Sequence, residues 1–200
     1  MRNAMKSLGR IEIQSSIQFS ERLVNVELWV SMADELIAAA RIIEAHVVQY
    51  WAEIRFQDGR IVDLPNRNNV QGAYFLLIAY GLENYFKATL IHKNQKCLRN
   101  RVLTKIPNYL KKHDLLLLAR ENGMRLAVVE EDILFRLSRN SIWAARYPVP
   151  VDPNSISAIR QFSDGKSYLV AFFRPEDIDQ ISPHRFSFGK KLWRFVGREI

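Results

Sequence analysis

The 200-residue sequence lacks the residues and runs that define several protein classes. Its one cysteine, Cys97, excludes a disulfide within the chain and any metal site built on paired cysteines. With only 8 glycines and 7 prolines, the chain is neither collagen-like nor of low complexity. The longest apolar stretch, residues 73–82, is about half as long as a membrane-spanning helix. The first ten residues, MRNAMKSLGR, have no apolar core of a secretory signal peptide. We therefore expect a cytoplasmic protein that does not associate with a membrane.

Sequence motifs for metal and cofactor chemistry are also missing. The four histidines, at positions 46, 92, 113 and 184, show neither an HExxH motif nor the spacing of another metal site. Glycine-rich phosphate-binding loops and the GxSxG turn of serine hydrolases do not occur either. We therefore expect no metal ion and no other cofactor.

Apolar and aromatic residues make up 48% and 11% of the chain, enough to bury one substantial core. Apolar residues recur at three- and four-residue steps, which predicts helices over about 31–53, 69–92, 113–121 and 130–145. The first pattern extends back toward residue 21, and the second is apolar around most of its circumference, so we expect it to be the most buried. The fold class predicted is mainly α: an antiparallel helical bundle forming a single domain over residues 1–200, with its core at about 31–150.

The last quarter of the chain is less regular. Prolines at 148, 150 and 153 end the fourth predicted helix. Asp164-Gly165 is either a turn between two short strands or a connection between two helices. Pro175 and Ser182 begin patterns typical of helix starts. We expect residues 151–200 to form a small irregular or β-containing extension. A short N-terminal strand at 11–13 and a turn at Asp58-Gly59 are also predicted.

The net charge is +8, from 29 basic and 21 acidic residues, and the excess is unevenly placed. Between Lys93 and Lys112 there are seven basic residues and no acidic one. Such a run attracts phosphates or acidic protein surfaces, although it is equally typical of a solvated segment. We expect Lys111 and Lys112 to add electrostatic attraction for a polyanionic ligand.

The fourth predicted helix carries a basic and aromatic face. Arg139, Trp143 and Arg146 are spaced by four and three residues, with Asn140 one step around and Tyr147 at the helix end. Two guanidinium groups beside aromatic rings can bind phosphate oxygens and stack on a base. The alternative is that Trp143 packs in the core and the arginines pair with acidic residues. We expect these five residues to line a groove that binds RNA or a nucleotide.

The second predicted helix contains a possible ion pair between Glu83 and Lys87, four residues apart. If both are buried, leaving either one unpaired costs several kcal/mol. We expect a supporting role, in which Arg139 or Arg146 also pairs with Glu83. At the start of the third helix we expect Asp114 and His113 to be structural, the histidine as a cap or bonded to a loop carbonyl.

Three segments together resemble the HEPN (higher eukaryotes and prokaryotes nucleotide-binding) family. They are GLENYFKA at residues 81–88, His113-Asp114-Leu115, and Arg139-Asn140. The resemblance covers roughly residues 31–150 and implies a small helical bundle that often forms a homodimer. In active HEPN ribonucleases, an arginine and a polar neighbour are followed four to six residues later by a histidine. The resemblance implies that these residues from two subunits cleave RNA without metal, the histidine moving protons and the arginine stabilising charge.

At the family's histidine positions this chain has Ala144, Ala145 and Arg146, none of which exchanges a proton at neutral pH. We therefore expect a non-catalytic or atypical HEPN-like protein that binds RNA or a nucleotide. The resemblance implies a bacterial defence or toxin–antitoxin context, with an antitoxin-like protein as a further partner. One alternative is a divergent metal-independent endoribonuclease that uses Arg139, Asn140 and His113. The other is a protein–protein interaction module.

Overall fold

The computed structural model describes residues 14–57, 60–66, 68–99, 103, 105–141, 159–161, 167–169, 173 and 175–181. Its helices are α1 (14–24), α2 (Val26–Glu53), α3 (Gln71–Lys93), α4 (Gln95–Arg99), α5 (Leu115–Glu121), α6 (Val128–Arg139) and α7 (Pro175–Ile181), with a 3-10 turn at Asn108–Lys111. Two antiparallel strand pairs accompany them: β1 (Arg55–Gln57) with β2 (Arg60–Asp63), and β3 (Ile159–Gln161) with β4 (Ser167–Leu169). The described chain is mainly helical, which confirms the predicted helical bundle.

Helices α2 and α3 pack against each other in antiparallel orientation. Tyr74 Oη donates to Glu44 Oε2 at 3.1 Å, and Trp51 Nε1 donates to Gln71 Oε1 at 2.7 Å, so the end of α2 lies beside the start of α3. The two helices approach closely at Gly81, where a Cβ atom would lie 2.5 Å from Ile37 Cδ1. Helix α2 begins at residue 26 because the Asn25 side chain accepts a hydrogen bond from the Glu27 N–H.

Helix α3 contains more buried residues than any other described helix, as its all-round apolar pattern predicts. Thirteen of its 23 residues are buried, among them the large side chains of Phe75, Leu82 and Phe86. It packs against α2, α5 and α6 and so forms the centre of the described bundle.

Local signals set the ends of α5 and the start of α6. Asp114 caps α5 by accepting the Leu117 N–H at 3.0 Å, and Gly123 ends the turn after α5 with a φ of 82°. Glu130 Oε2 accepts the Ala127 N–H at 2.8 Å at the start of α6. These boundaries agree with those predicted from the sequence. Residues 140 and 141, directly after Arg139, are π-helical.

The short elements show where the sequence prediction was incomplete. Strands β1 and β2 flank the predicted Asp58-Gly59 turn, although no strands were expected there. Strands β3 and β4 flank residues 164–165, which confirms the strand alternative for that region. Helix α7 begins at Pro175 as predicted, and the segment 93–112 contains α4 and the 3-10 turn. The predicted elements at 11–13, 142–145 and 182–200 lie outside the described residues.

Helix α7 is held on the bundle by a buried ion pair. Arg136 on α6 binds both carboxylate oxygens of Asp177, at 2.8 Å for Nη2 and Oδ1, and its Nε donates to Asp132 Oδ2 at 2.9 Å. Phe173, just before α7, stacks on Phe75 of α3 with ring centroids 3.5 Å apart. The guanidinium of Arg136 also lies over the Phe173 ring. The contact therefore joins α6, α3 and α7.

Candidate functional site

Glu83, Lys87 and His113 form a hydrogen-bonded cluster between α3 and the start of α5. Lys87 Nζ donates to Glu83 Oε1 at 2.6 Å, which confirms the predicted ion pair four residues apart. His113 Nδ1 lies 3.0 and 3.1 Å from the two carboxylate oxygens of Glu83. The exposed fractions of the three side chains are 10% for Glu83, 6% for Lys87 and 60% for His113. A buried carboxylate and ammonium thus neutralise each other beneath an exposed imidazole.

The position of His113 differs from what the sequence predicted. The expected roles were a helix cap or a hydrogen bond to a loop carbonyl, but Asp114 caps α5 and His113 binds the Glu83 carboxylate instead. Of the two expected additional partners of Glu83, Arg139 is not bonded to it and Arg146 lies outside the described residues; among the described residues, the second partner of that carboxylate is His113. The cluster therefore orients an imidazole, where the sequence had predicted that it orients arginines.

Arg139 and Asn140, at the end of α6, take different positions. Arg139 is half-buried, and its guanidinium lies 5.8 Å from the centre of the Phe135 ring. Burial lowers the pKa of Arg139, and the guanidinium nevertheless stays charged at neutral pH. Asn140 is buried and donates to the Gly72 carbonyl of α3 at 3.4 Å. The prediction that Asn140 lines a binding groove is therefore corrected, because its side chain faces the bundle.

Two hydrogen bonds place the end of α6 beside the start of α5 and the middle of α3. Ser138 Oγ accepts the Leu115 N–H at 2.8 Å, and Tyr80 Oη donates to the Ser141 carbonyl at 3.3 Å. His113 lies two residues before Leu115 and Arg139 one residue after Ser138, so the first of these bonds limits the distance between the Cα atoms of His113 and Arg139 to about 15 Å. A short oligonucleotide is long enough to span these two backbone positions.

Lys111 and Lys112 flank His113 but differ in their partners. Lys111 is exposed, whereas Lys112 Nζ lies 2.5 Å from Glu121 Oε1 and its charge is paired. Lys111 is therefore the better candidate for attracting an anion. The other residues of the predicted groove, Trp143, Arg146 and Tyr147, lie outside the described residues.

Sequence reasoning missed the partnership of Glu83 and His113. Both residues stand in segments singled out for their resemblance to one family, but 30 positions separate them. No local periodicity links two residues that far apart. The only signal available in the sequence was the presence of a polar residue within one apolar helix and of another just before a second apolar helix.

The described part of the chain contains neither a metal-binding cluster nor a membrane-spanning helix. No group of three or more His, Cys, Asp or Glu side chains in that part could hold a metal ion. None of its helices combines the length and apolar composition needed to cross a bilayer. Comparison with known proteins gave no match to a family model, to a curated protein or to a solved structure.

Proposed function

We propose that this chain is an atypical HEPN-like protein that binds RNA or a nucleotide at one end of the bundle. We call this surface the basic end and define it by Lys111, His113 and Arg139. The observation that carries the proposal is the exposed imidazole of His113, which is held by a buried ion pair, lies two residues after Lys111 and is within about 15 Å of Arg139 between Cα atoms. A homodimer and an antitoxin-like partner stay predictions from the family resemblance.

The charges of the basic end favour an anionic ligand. Among the described residues no acidic side chain binds Arg139, and its guanidinium lies over the ring of Phe135. Partial burial removes water from the guanidinium, which strengthens its attraction for a phosphate. The exposed Lys111 acts at longer range and raises the rate of encounter with a polyanion.

Fluorescence anisotropy with a labelled single-stranded RNA tests this proposal. A charge-assisted hydrogen bond contributes about 1.5–3 kcal/mol, so Arg139→Ala should raise the Kd by about tenfold or more. The slope of log Kd against log salt concentration should fall by about one unit for each phosphate contact removed. Arg41→Ala is the matched control, because Arg41 is an exposed arginine on α2, a helix that contributes no residue to the basic end.

Two results would count against the proposal. If Arg139→Ala and Arg41→Ala bind RNA as tightly as the unmodified protein, the basic end is not the binding surface. If the unmodified protein binds neither RNA nor mononucleotides, the alternative of a protein–protein interaction module becomes the better explanation of the chain.

A second candidate function is metal-independent RNA cleavage, favoured by the carboxylate behind the His113 imidazole. His113 Nε2 would take the proton of a ribose 2′-hydroxyl, whose oxygen attacks the adjacent phosphorus while Arg139 stabilises the added charge. The bond from phosphorus to the 5′-oxygen would break as that oxygen takes a proton from solvent water, giving a 2′,3′-cyclic phosphate and a 5′-hydroxyl, and the His113 imidazolium would return its proton to the solvent. This function would be supported if RNA cleavage continues in the presence of a chelator and in Arg41→Ala, but is lost in both His113→Ala and Arg139→Ala. It would be ruled out if the unmodified protein does not cleave RNA.

A further inference from the structure

The hydrogen bond between Glu83 and His113 determines which ring nitrogen carries the proton. An ionised carboxylate has only acceptor oxygens, so the group facing it must donate. Lys87 Nζ donates to the buried Glu83 carboxylate at 2.6 Å and balances its negative charge. In the neutral imidazole, the proton therefore resides on Nδ1, and Nε2 has a free lone pair.

The free nitrogen is available to a ligand. The His113 side chain is 60% exposed, and its Nδ1 edge is the one turned toward the protein interior. Nε2 consequently acts as a hydrogen-bond acceptor at the surface, on the same segment as the exposed Lys111. A ligand that matches this arrangement carries a hydroxyl donor close to a phosphate.

We propose that His113 makes the basic end selective for ribose over deoxyribose, by accepting a hydrogen bond from a 2′-hydroxyl at Nε2. The inference rests on the proposed function and names the sugar that the site recognises. In a nucleic-acid backbone the phosphates are acceptors, and the 2′-hydroxyl is the donor that RNA has and DNA lacks. It lies next to the 3′-phosphate of the same nucleotide, so one nucleotide presents a donor to His113 and an anion to Arg139 or Lys111. Base amino groups also donate, but they occur in both nucleic acids.

Binding of oligomers that differ only in the sugar tests the inference. The full-length protein is titrated with oligouridylate, with the deoxyuridine oligomer, and with the 2′-fluoro oligomer, which keeps a ribose-like pucker but has no proton to donate. One exposed hydrogen bond predicts that the unmodified protein binds the ribose oligomer about three- to tenfold more tightly than the other two. His113→Ala, a change at an exposed side chain, should abolish this ratio, whereas Lys111→Ala should weaken all three equally.

The tautomer of His113 gives a readout that needs no nucleic acid. Nitrogen-15 NMR of the free protein at about pH 8 should show the proton on Nδ1. A proton on Nε2 would overturn the inference. Equal affinity of the unmodified protein for all three oligomers, or a sugar preference that survives His113→Ala, would overturn it as well while leaving RNA binding in place. Failure to bind any oligomer would remove the proposed function and the sugar selectivity together.

Discussion

Asp177→Asn tests the conclusion that a buried ion pair fixes α7 on the bundle. The side chains of Arg136 and Asp177 are only 7% and 5% exposed, and the carboxylate binds two of the guanidinium nitrogens. Asparagine has the same shape but no charge. The substitution therefore leaves a buried guanidinium whose one remaining anionic partner is Asp132, which is 31% exposed.

The expected cost follows from the partners that remain. Removing one partner of a buried ion pair destabilises a protein by about 3–5 kcal/mol, and the bond to Asp132 places this case at the lower end, about 3 kcal/mol. For a chain of this length, that loss lowers the Tm by about 6–12 °C. Burial tends to lower the pKa of Arg136, but the hydrogen bond and charge of Asp177 raise it overall. Because stability from a raised arginine pKa is lost only at a pH above the pKa of the unfolded chain, far into the alkaline range, the cost should be the same at pH 7 and at about pH 10.

Urea and thermal unfolding followed by circular dichroism measure the effect. Asp63→Asn is the control, because its ion pair with Arg55 is exposed and 4.0 Å long and should contribute less than about 0.5 kcal/mol. The double variant Arg136→Met with Asp177→Leu should recover most of the loss, since apolar side chains replace buried ion pairs well. Equal free energies of unfolding for Asp177→Asn and Asp63→Asn would refute the reasoning.

Three further substitutions test the packing around the site by the same unfolding measurements. Lys87→Met leaves the buried Glu83 carboxylate without its ammonium and should cost about 3 kcal/mol; a loss below 1 kcal/mol would contradict the buried pair. Tyr109→Phe should be neutral or stabilise by up to about 1 kcal/mol, because the tyrosine hydroxyl is buried and has no hydrogen-bond partner among the described residues. Burial raises the pKa of the Tyr109 hydroxyl. As the pH rises above 10.0, the pKa of tyrosine in the unfolded chain, the unmodified protein should therefore lose stability relative to Tyr109→Phe. The same dependence of the unfolding free energy on pH in both proteins would contradict that. Gly81→Ala should lower the free energy of unfolding by about 1 kcal/mol net, because the added methyl overlaps Ile37. The same substitution should cost less in a chain that already carries Ile37→Ala. If the losses of the two single variants simply add in the double variant, that contact is contradicted.

The location of α7 matters for the basic end because both depend on α6. Arg136 lies one helical turn before Arg139, so the ion pair to Asp177 fixes the part of α6 from which Arg139 projects. The RNA affinity of the Asp177→Asn variant, measured at a temperature at which this variant is folded, shows whether the contact of α7 with the bundle contributes to RNA binding. An unchanged Kd would limit the role of the ion pair to stability.

The sequence by itself determined the elements whose signals are local. Continuous apolar residues predicted a buried α3, and the three- and four-residue steps predicted a helix close to the observed α5, because such periodicity depends on a few neighbouring residues. The strands β1 and β2 escaped prediction, since segments of three and four residues are too short for alternation to be distinctive.

Only the tertiary structure decided which polar residues meet. His113 binds Glu83 across 30 positions, and Arg136 binds Asp177 across 41, while Asn140 turns toward the bundle. Each of these arrangements follows from the need to pair a buried polar group with whichever partner the packed helices bring within about 3 Å. That partner depends on the angles and offsets between helices, and a pattern of residues along one helix does not contain them.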